Sequence, residues 1–493
     1  MRRLKYVLVM PNGVGIRNFL CTRFIDLLLE SGEVCVWHAL PPESIAEFRG
    51  LWGERVRWQT LPPIQDGLLE RLFRQAKAFA QLYWQRKQGP DPQLKRLRDL
   101  RRLRARSPWR VRAFESASKA IGRVGAGPRR VALLDRLHQA AAARAKHMRA
   151  FEGFLRELAP DLVFCAHQKA LQAVPAMLAA RNLEVPSVTF IYSWDNLAKG
   201  RMAVYADQYL VWSEFMKKEL LSYYPDVSPG RVRIVGTPQF EPYADETLVE
   251  PRTKFLGRLG LDPARPVVCF SGDDFLASPY DPVYLEDLAD AVRAIPLAGR
   301  PQILFRRCPV DRSSRYDAVL ARYPEIAVSD PPWRAYSGDW TEVVPTLEDT
   351  ALLVNVVRHC DLVVNLGSTM AMDFAVYDKP GIFVAYNPRG ANPLWSVEDC
   401  YRLPHIKSVH QLQPIYWAKS REELGDLLLY ALRNPGEKSA ERQAWLHRHV
   451  LQPIGEASER FAKTLRELAL GSRLHASSSE TDQPDPIRRA SSL

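Results

Sequence analysis

The sequence predicts an α/β protein of two tandem doubly wound domains, and three observations carry that prediction. Short apolar runs alternate with amphipathic stretches along most of the chain, the pattern of strands and helices around parallel sheets. Each half opens with an apolar run ending in a small-residue loop: Tyr6–Met10 before Pro11-Asn12-Gly13, and Pro266–Phe270 before Ser271-Gly272-Asp273-Asp274. The third observation is the segment Cys360–Tyr386. There Leu362–Val364 leads into Asn365-Leu366-Gly367-Ser368-Thr369, a helical stretch follows, Asp378-Lys379-Pro380-Gly381 breaks it, and a new apolar run starts at Ile382. That order is strand, loop, helix, turn, strand.

The first half, 1–240, starts with a strand at Tyr6–Met10, the loop PNGVGIRNF, a helix carrying Phe24, Leu27, Leu28 and Leu29, and a strand at Val34–His38. Gly13-x-Gly15 matches part of a dinucleotide fingerprint, but Asn18 stands at the third glycine, so a dinucleotide is not indicated. A basic helical insertion spans 71–156. Alternation resumes with a strand at Asp161–Ala166, a helix at Ala170–Arg181 and strands at Ser187–Tyr192 and Tyr209–Trp212. Ser213 caps a helix Glu214–Tyr223, and a strand Arg231–Val235 ends in Gly236-Thr237-Pro238. A polar, Pro-containing linker covers 241–265. The second half, 266–470, has strands at Pro266–Phe270, Gln302–Phe305, Leu362–Val364 and Ile382–Tyr386. Thr346 caps a helix Leu347–Arg358, and helices begin at Arg421 and Ser439. The Ser/Asp/Pro-rich stretch 471–493 reads as a disordered tail.

Composition narrows the function classes. The 493 residues are 46% apolar and 25% charged, enough for two cores. No apolar stretch approaches the roughly 20 residues that span a bilayer, and Tyr6–Met10 is too short for a signal peptide's apolar core. Seven scattered cysteines show no zinc spacing, and reduced thiols in a cytoplasmic protein are expected. The net charge of +12 is concentrated: residues 71–149 hold 22 Lys and Arg against 4 Asp and Glu. With Phe79, Tyr83, Trp84 and Trp109 interleaved, this stretch suits an anionic membrane surface, a nucleic acid, or a solvated helical face. No nucleic-acid module accompanies it, so no nucleic-acid partner is expected. A peripheral position on the inner face of the cell membrane is the expectation.

The loop before the helix in Cys360–Tyr386 is the best candidate site. Gly367, Ser368 and Thr369 stand where unpaired backbone N–H groups favour an anion, and Asp373 follows about one turn later. The alternative is an ordinary N-cap. In the first half, Tyr192-Ser193-Trp194-Asp195-Asn196 followed by Lys199 combines indole, carboxylate, amide and ammonium. It reads either as a sugar-binding corner with Asp195 as general base or as an Asx-turn. His167, after its strand, is a second candidate base or a structural residue. Gly13 and Gly15 allow close approach of a ligand to the first loop.

The Gly236-Thr237-Pro238 junction, the Arg306-Arg307-Cys308-Pro309 segment and the Asn365–Asp373 loop-helix together resemble the GT-B glycosyltransferase superfamily. Within it they resemble the surface-carbohydrate group around CDP-glycerol glycerophosphotransferases and capsule or lipopolysaccharide biosynthesis proteins. The non-hydrolysing UDP-N-acetylglucosamine 2-epimerases share the architecture. The resemblance implies two Rossmann-like domains, the second binding a nucleotide donor. It implies donor-phosphate contacts from Ser368 and Thr369 and a ribose contact from Asp373, which stands where the family usually has Glu. Arg306 is retained from an Arg-x-His-Pro motif, whereas Cys308 replaces its histidine, and a neutral thiol does not replace an imidazolium at phosphate. Arg306 and Arg307 are the expected diphosphate ligands.

The implied activity is transfer of a sugar from a nucleotide-diphosphate donor to a surface-polysaccharide or lipid-linked glycan acceptor. No cofactor is expected, and no metal, since no Asp-x-Asp triplet is present. A CDP-linked phosphoalcohol transferase, a 2-epimerase and a non-catalytic nucleotide- or carbohydrate-binding scaffold are the alternatives.

Overall fold

In the computed structural model the described residues are 3–86, 108–275, 277–336, 343–393 and 395–481. Seven strands form the first sheet: β1 (Leu4–Met10), β2 (Gly32–His38), β3 (Val56–Thr60), β4 (Leu162–Cys165), β5 (Ser187–Phe190), β6 (Gln208–Val211) and β7 (Val232–Ile234). They are parallel, in the order β3-β2-β1-β4-β5-β6-β7. Register follows the apolar pattern: Leu8 lies opposite Val36 on one side and Phe164 on the other. Helices cover both faces, which is why β1 and β4 are apolar almost throughout.

The second half repeats the design. Its strands in chain order are β8 (Val267–Ser271), β9 (Gln302–Arg306), β10 (Ala327–Ser329), a small antiparallel pair β11 (Arg334–Ala335) and β12 (Val343–Val344), then β13 (Leu362–Asn365), β14 (Gly381–Val384) and β15 (Tyr416–Ala418). The main sheet is parallel, in the order β10-β9-β8-β13-β14-β15. Phe270 is flanked by Phe305 and Val364. The strand order reverses between β1 and β4 in one sheet and between β8 and β13 in the other. Ligands of such sheets sit outside the carboxyl ends of the strands at these switch points.

The helices Glu214–Tyr223 and Leu347–His359 start where the sequence places them. Ser213 Oγ accepts from the Met216 amide, and Thr346 Oγ1 from that of Asp349. Strands β3, β10 and β15 have no counterpart in the sequence reading. All three are sheet edges, β10 and β15 have three residues each, and β3 alternates apolar with polar residues, too little apolar pattern to register.

Two further differences concern the C-terminus. The last helix runs Ala457–Thr481, so backbone read as disordered from 471 is helical to 481; residues 482–493 lie outside the described residues. This helix returns to the first sheet rather than staying with the second. Phe461 packs against Phe19, Phe164 and Phe190 at ring-centroid distances of 5.4, 6.3 and 5.0 Å, and burial of one aromatic cluster outweighs chain order. Between β3 and β4 stand the helices Leu68–Arg86, Trp109–Val124, Pro128–Ala142 and Met148–Leu158. Most of the run Lys95–Arg112 falls outside the described residues.

Candidate functional site

At the carboxyl ends of β4 and β5 in the first sheet, the polar groups satisfy one another. His167, just past β4, is buried, with the Asn12 amide 2.7 Å from its Nδ1 and the Tyr192 ring edge-on at 4.3 Å. Burial, with help from Lys169, lowers its pKa to about 3, so the ring is neutral at pH 7. Asp195 accepts from Ser193 Oγ at 2.6 Å, Asn196 Nδ2 at 3.3 Å and Lys199 Nζ. Burial alone would raise this carboxyl, but Lys199, His405 and these hydrogen bonds hold it below the usual range. This is a self-contained polar turn that keeps a permanent carboxylate at the cleft.

Trp194 does not offer its face to a sugar. The indole is 4% exposed, packs edge-on to His405 and His449 at 4.9 and 5.2 Å, and donates from Nε1 to Thr369 Oγ1 at 3.1 Å. It joins the two halves. Gly13 serves the same end, whereas Gly15 packs within the first half. A Cβ on Gly13 would lie 2.3 Å from the Val343 carbonyl oxygen, and one on Gly15 would lie 2.7 Å from the Ala166 Cβ. The room that these glycines leave is taken by the protein itself.

The second sheet's carboxyl end is different. Gly367 turns the chain after β13 with φ +74°, a region glycine enters without strain, and the Ser368 amide donates to Asn365 Oδ1 at 3.0 Å. Thr369 makes no side-chain cap to the helix Met370–Val376, so the ordinary N-cap explanation fails. That helix has seven residues, about two turns, and its dipole alone is a modest anion attractor. Asp373 is 2% exposed and accepts from Tyr243 Oη at 2.8 Å. Burial raises its pKa against the pull of Arg17, the Tyr243 bond and Arg306. Its carboxylate is enclosed by protein groups rather than presented to a ribose.

Arg306 lies at the end of β9, 4% exposed, and donates from one guanidinium nitrogen to Asp349 Oδ1 at 2.7 Å. Its other terminal nitrogen has no hydrogen-bond partner, and neither has Asn365 Nδ2 at the end of β13. Two buried donors left unpaired at the ends of β9 and β13, the strands on either side of β8, are costly unless something accepts from them. Arg307 turns away, donating to Asp330 at 2.9 Å and to the Ser313 carbonyl at 3.2 Å. With Arg312 and Trp333 it lines a separate cavity of about 400 Å³. Cys308 lines that cavity too, and burial and Asp273 push its thiol up to about 12, so it is neutral and unreactive.

Other residues enter that the sequence did not single out. Arg17 reaches from the first half towards Tyr243, Asp373 and Asp349, which outweigh the burial opposing its charge. Asp273, in the loop after β8, is pushed well above the carboxylate range by burial and then by Asp281 and Asp274, while Lys199 and Ser368 oppose this. Glu47 accepts from the Leu347 amide at 3.2 Å, so a first-half carboxylate caps a second-half helix. The sequence signal for Asp273 was its place in a post-strand loop. For Arg17 there was none, because its partners lie in the other half. Among the described residues, no three His, Cys, Asp or Glu side chains converge as a metal site.

No protein-family model matches the chain, and no curated protein matches it by sequence. Solved structures do match over nearly its whole length. A Listeria monocytogenes protein provisionally assigned as a UDP-N-acetylglucosamine 2-epimerase aligns with 96% of this chain and 97% of its own, at 10% identity and TM-score 0.54. The UDP-GlcNAc 2-epimerase of Neisseria meningitidis, described as bound to UDP-GlcNAc, aligns with 94% of this chain and 100% of its own, at 10% identity and TM-score 0.50. At such identities the likeness establishes architecture: two facing doubly wound domains with a helix returning to the first, the GT-B fold.

Proposed function

We propose that the chain is a nucleotide-sugar enzyme, acting as a glycosyltransferase that moves a sugar from a nucleotide-diphosphate donor to a surface-polysaccharide or lipid-linked glycan acceptor. One observation carries the reading: the unpaired donors of Arg306 and Asn365 at the carboxyl ends of β9 and β13, on either side of β8, beside the partly exposed loop Gly367–Thr369. A donor diphosphate would accept from them. Arg306 and the loop amides then stabilise the charge that grows on the leaving diphosphate. The binding of UDP-GlcNAc by the Neisseria enzyme of the same fold is consistent with that use of the crevice.

On the facing side Asp195, ionised near neutral pH, accepts the hydrogen bond of an acceptor hydroxyl and orients it towards the anomeric carbon. With the Asn12 amide nitrogen at Nδ1, His167 carries its proton on Nε2 and is a donor at the same corner.

A second reading, a 2-epimerase, is favoured by Asp273. A carboxyl pushed well above its ordinary range by burial and by Asp281, beside Ser368, offers an acid/base group for the proton transfer on the sugar that epimerisation requires. One experiment separates these readings. The purified protein is screened by thermal shift against UDP, CDP, GDP, TDP and their sugar conjugates, and the best donor is followed by NMR with and without glycan acceptors. A ligand at 100 times its dissociation constant adds about 2.7 kcal/mol. Diphosphate release that depends on acceptor supports glycosyl transfer, and isomerisation without acceptor supports the epimerase. A preference for CDP conjugates points to a phosphoalcohol transferase, and binding without turnover to a scaffold. No shift with any of them overturns the nucleotide-sugar reading.

A further inference from the structure

The helical insertion carries a surface that the crevice does not explain. The helices Leu68–Arg86 and Trp109–Val124 lie side by side in parallel: Arg71 covers the Phe114 ring at 5.6 Å, and further along Arg123 covers Tyr83 at 5.6 Å. Their first turns therefore meet at one end. There Leu68 is 70% exposed, Leu69 59%, Trp109 73% and Val111 52%, four bare apolar side chains in two adjoining first turns. Arg71, Arg110 and Arg112 stand among them, all exposed.

The charge around this end is one-sided. Among the described residues between 67 and 149, no carboxylate is exposed: Glu70 and Asp135 are buried, and Glu115 is partly buried beside Lys119 at 3.5 Å. The insertion is also firmly held. Lys77 Nζ donates to the Met202 and Ala203 carbonyls at 2.9 Å each and pairs with Asp135 at 3.2 Å, and Arg201 Nε reaches Asp135 at 2.7 Å. No helix among the described residues is long and apolar enough to cross a membrane.

We propose that this end docks on an anionic lipid bilayer. Indole and leucine side chains enter the boundary between headgroups and acyl chains, and the arginines around them meet lipid phosphates. Nucleic acid would use the arginines but leave the leucines bare in water. A second copy of this chain would set arginines against arginines.

Co-sedimentation of the full chain with vesicles tests this. Binding is expected to phosphatidylcholine vesicles containing about 30 mol% phosphatidylglycerol, to fall as salt rises, and to be weak on phosphatidylcholine alone. Arg110→Gln with Arg112→Gln is expected to weaken binding about 30-fold. Leu68→Ser with Trp109→Ser is expected to weaken it as well, with thermal unfolding unchanged because all four sites are exposed. Equal binding to both vesicle types, no binding to either, or unaltered binding by both variants overturns the proposal, as does tighter binding to a duplex oligonucleotide than to anionic vesicles. The readout is independent of catalysis, so failure of the nucleotide-sugar reading leaves it standing.

Discussion

The carboxyl ends of the two sheets carry similar residues in opposite conditions. At the first, His167, Asp195 and Trp194 each have partners within the chain. At the second, Arg306 and Asn365 each keep an unpaired buried donor, and Asp273 is driven towards its neutral form. A satisfied polar cluster rigidifies, whereas an unsatisfied one is where a ligand completes the hydrogen bonding. In the proposed function this difference puts the donor's diphosphate at the second half and leaves the first to orient what meets it.

The largest effect expected from breaking this contrast is on stability. Arg306→Met leaves the buried Asp349 with Trp333 Nε1 but without its hydrogen-bonded cation, Arg17 acting on it only through space, and is expected to cost about 3–5 kcal/mol in urea unfolding. The first-sheet counterpart, Lys199→Ala, removes a cation that is 38% exposed and is expected to cost about 1 kcal/mol or less. Equal losses would erase the contrast.

Next in size is the dependence on pH, where the two ends have opposite signs. His167 has a folded pKa of about 3, below the ordinary value of about 6.5. Above pH 6.5 it is neutral whether folded or not. As the pH falls towards 3 the unfolded chain takes up the proton first, and stability drops by about 1.4 kcal/mol per pH unit. Asp281, raised to about 6 by burial, acts in reverse: its share of stability is present below about pH 4 and is lost as pH rises towards 6. Unfolding free energies between pH 4 and 8 are therefore expected to be flatter for His167→Gln on the acid side. For Asp281→Asn the rise in pH from 4 to 6 is expected to cost less than in the wild type. Curves parallel to the wild type would refute both assignments.

A smaller loss is expected from Tyr243→Phe. It takes the hydroxyl from the buried Asp373 across 130 positions and is expected to cost about 1–3 kcal/mol. If donor affinity, measured by calorimetry, stays unchanged, Asp373 is a strut between the halves; a tenfold loss would make it part of the ligand site. The smallest effect is on binding alone: Ser368→Val, which leaves the bond from Trp194 to Thr369 in place, is expected to weaken donor binding by about tenfold with the fold intact. Undiminished affinity would remove the loop from the donor site.

Caps and strand–loop–helix punctuation were legible because their causes are local. Ser213 and Thr346 declared their helices through the residues that follow, and the loop Asn365–Thr369 declared itself through small residues between an apolar run and a helix. The edge strands were not legible, since three residues at a sheet edge are defined by the neighbour they pair with. Trp194 was misread for a related reason. An indole beside Asp and Asn has the composition of a sugar site, but Thr369, His405 and His449 lie far along the chain and enclose it.

The sequence alone determined two doubly wound domains, the loop that faces the crevice and the basic, aromatic-studded insertion, because periodicity, turn chemistry and charge are written in consecutive residues. Tertiary structure alone decided which candidates are already occupied. Asp195 closes on Lys199, Asp373 on Tyr243, and Arg306 on Asp349 with one nitrogen to spare. Hydrogen-bond satisfaction is a sum over neighbours in space, and burial fixes what each unmet bond costs.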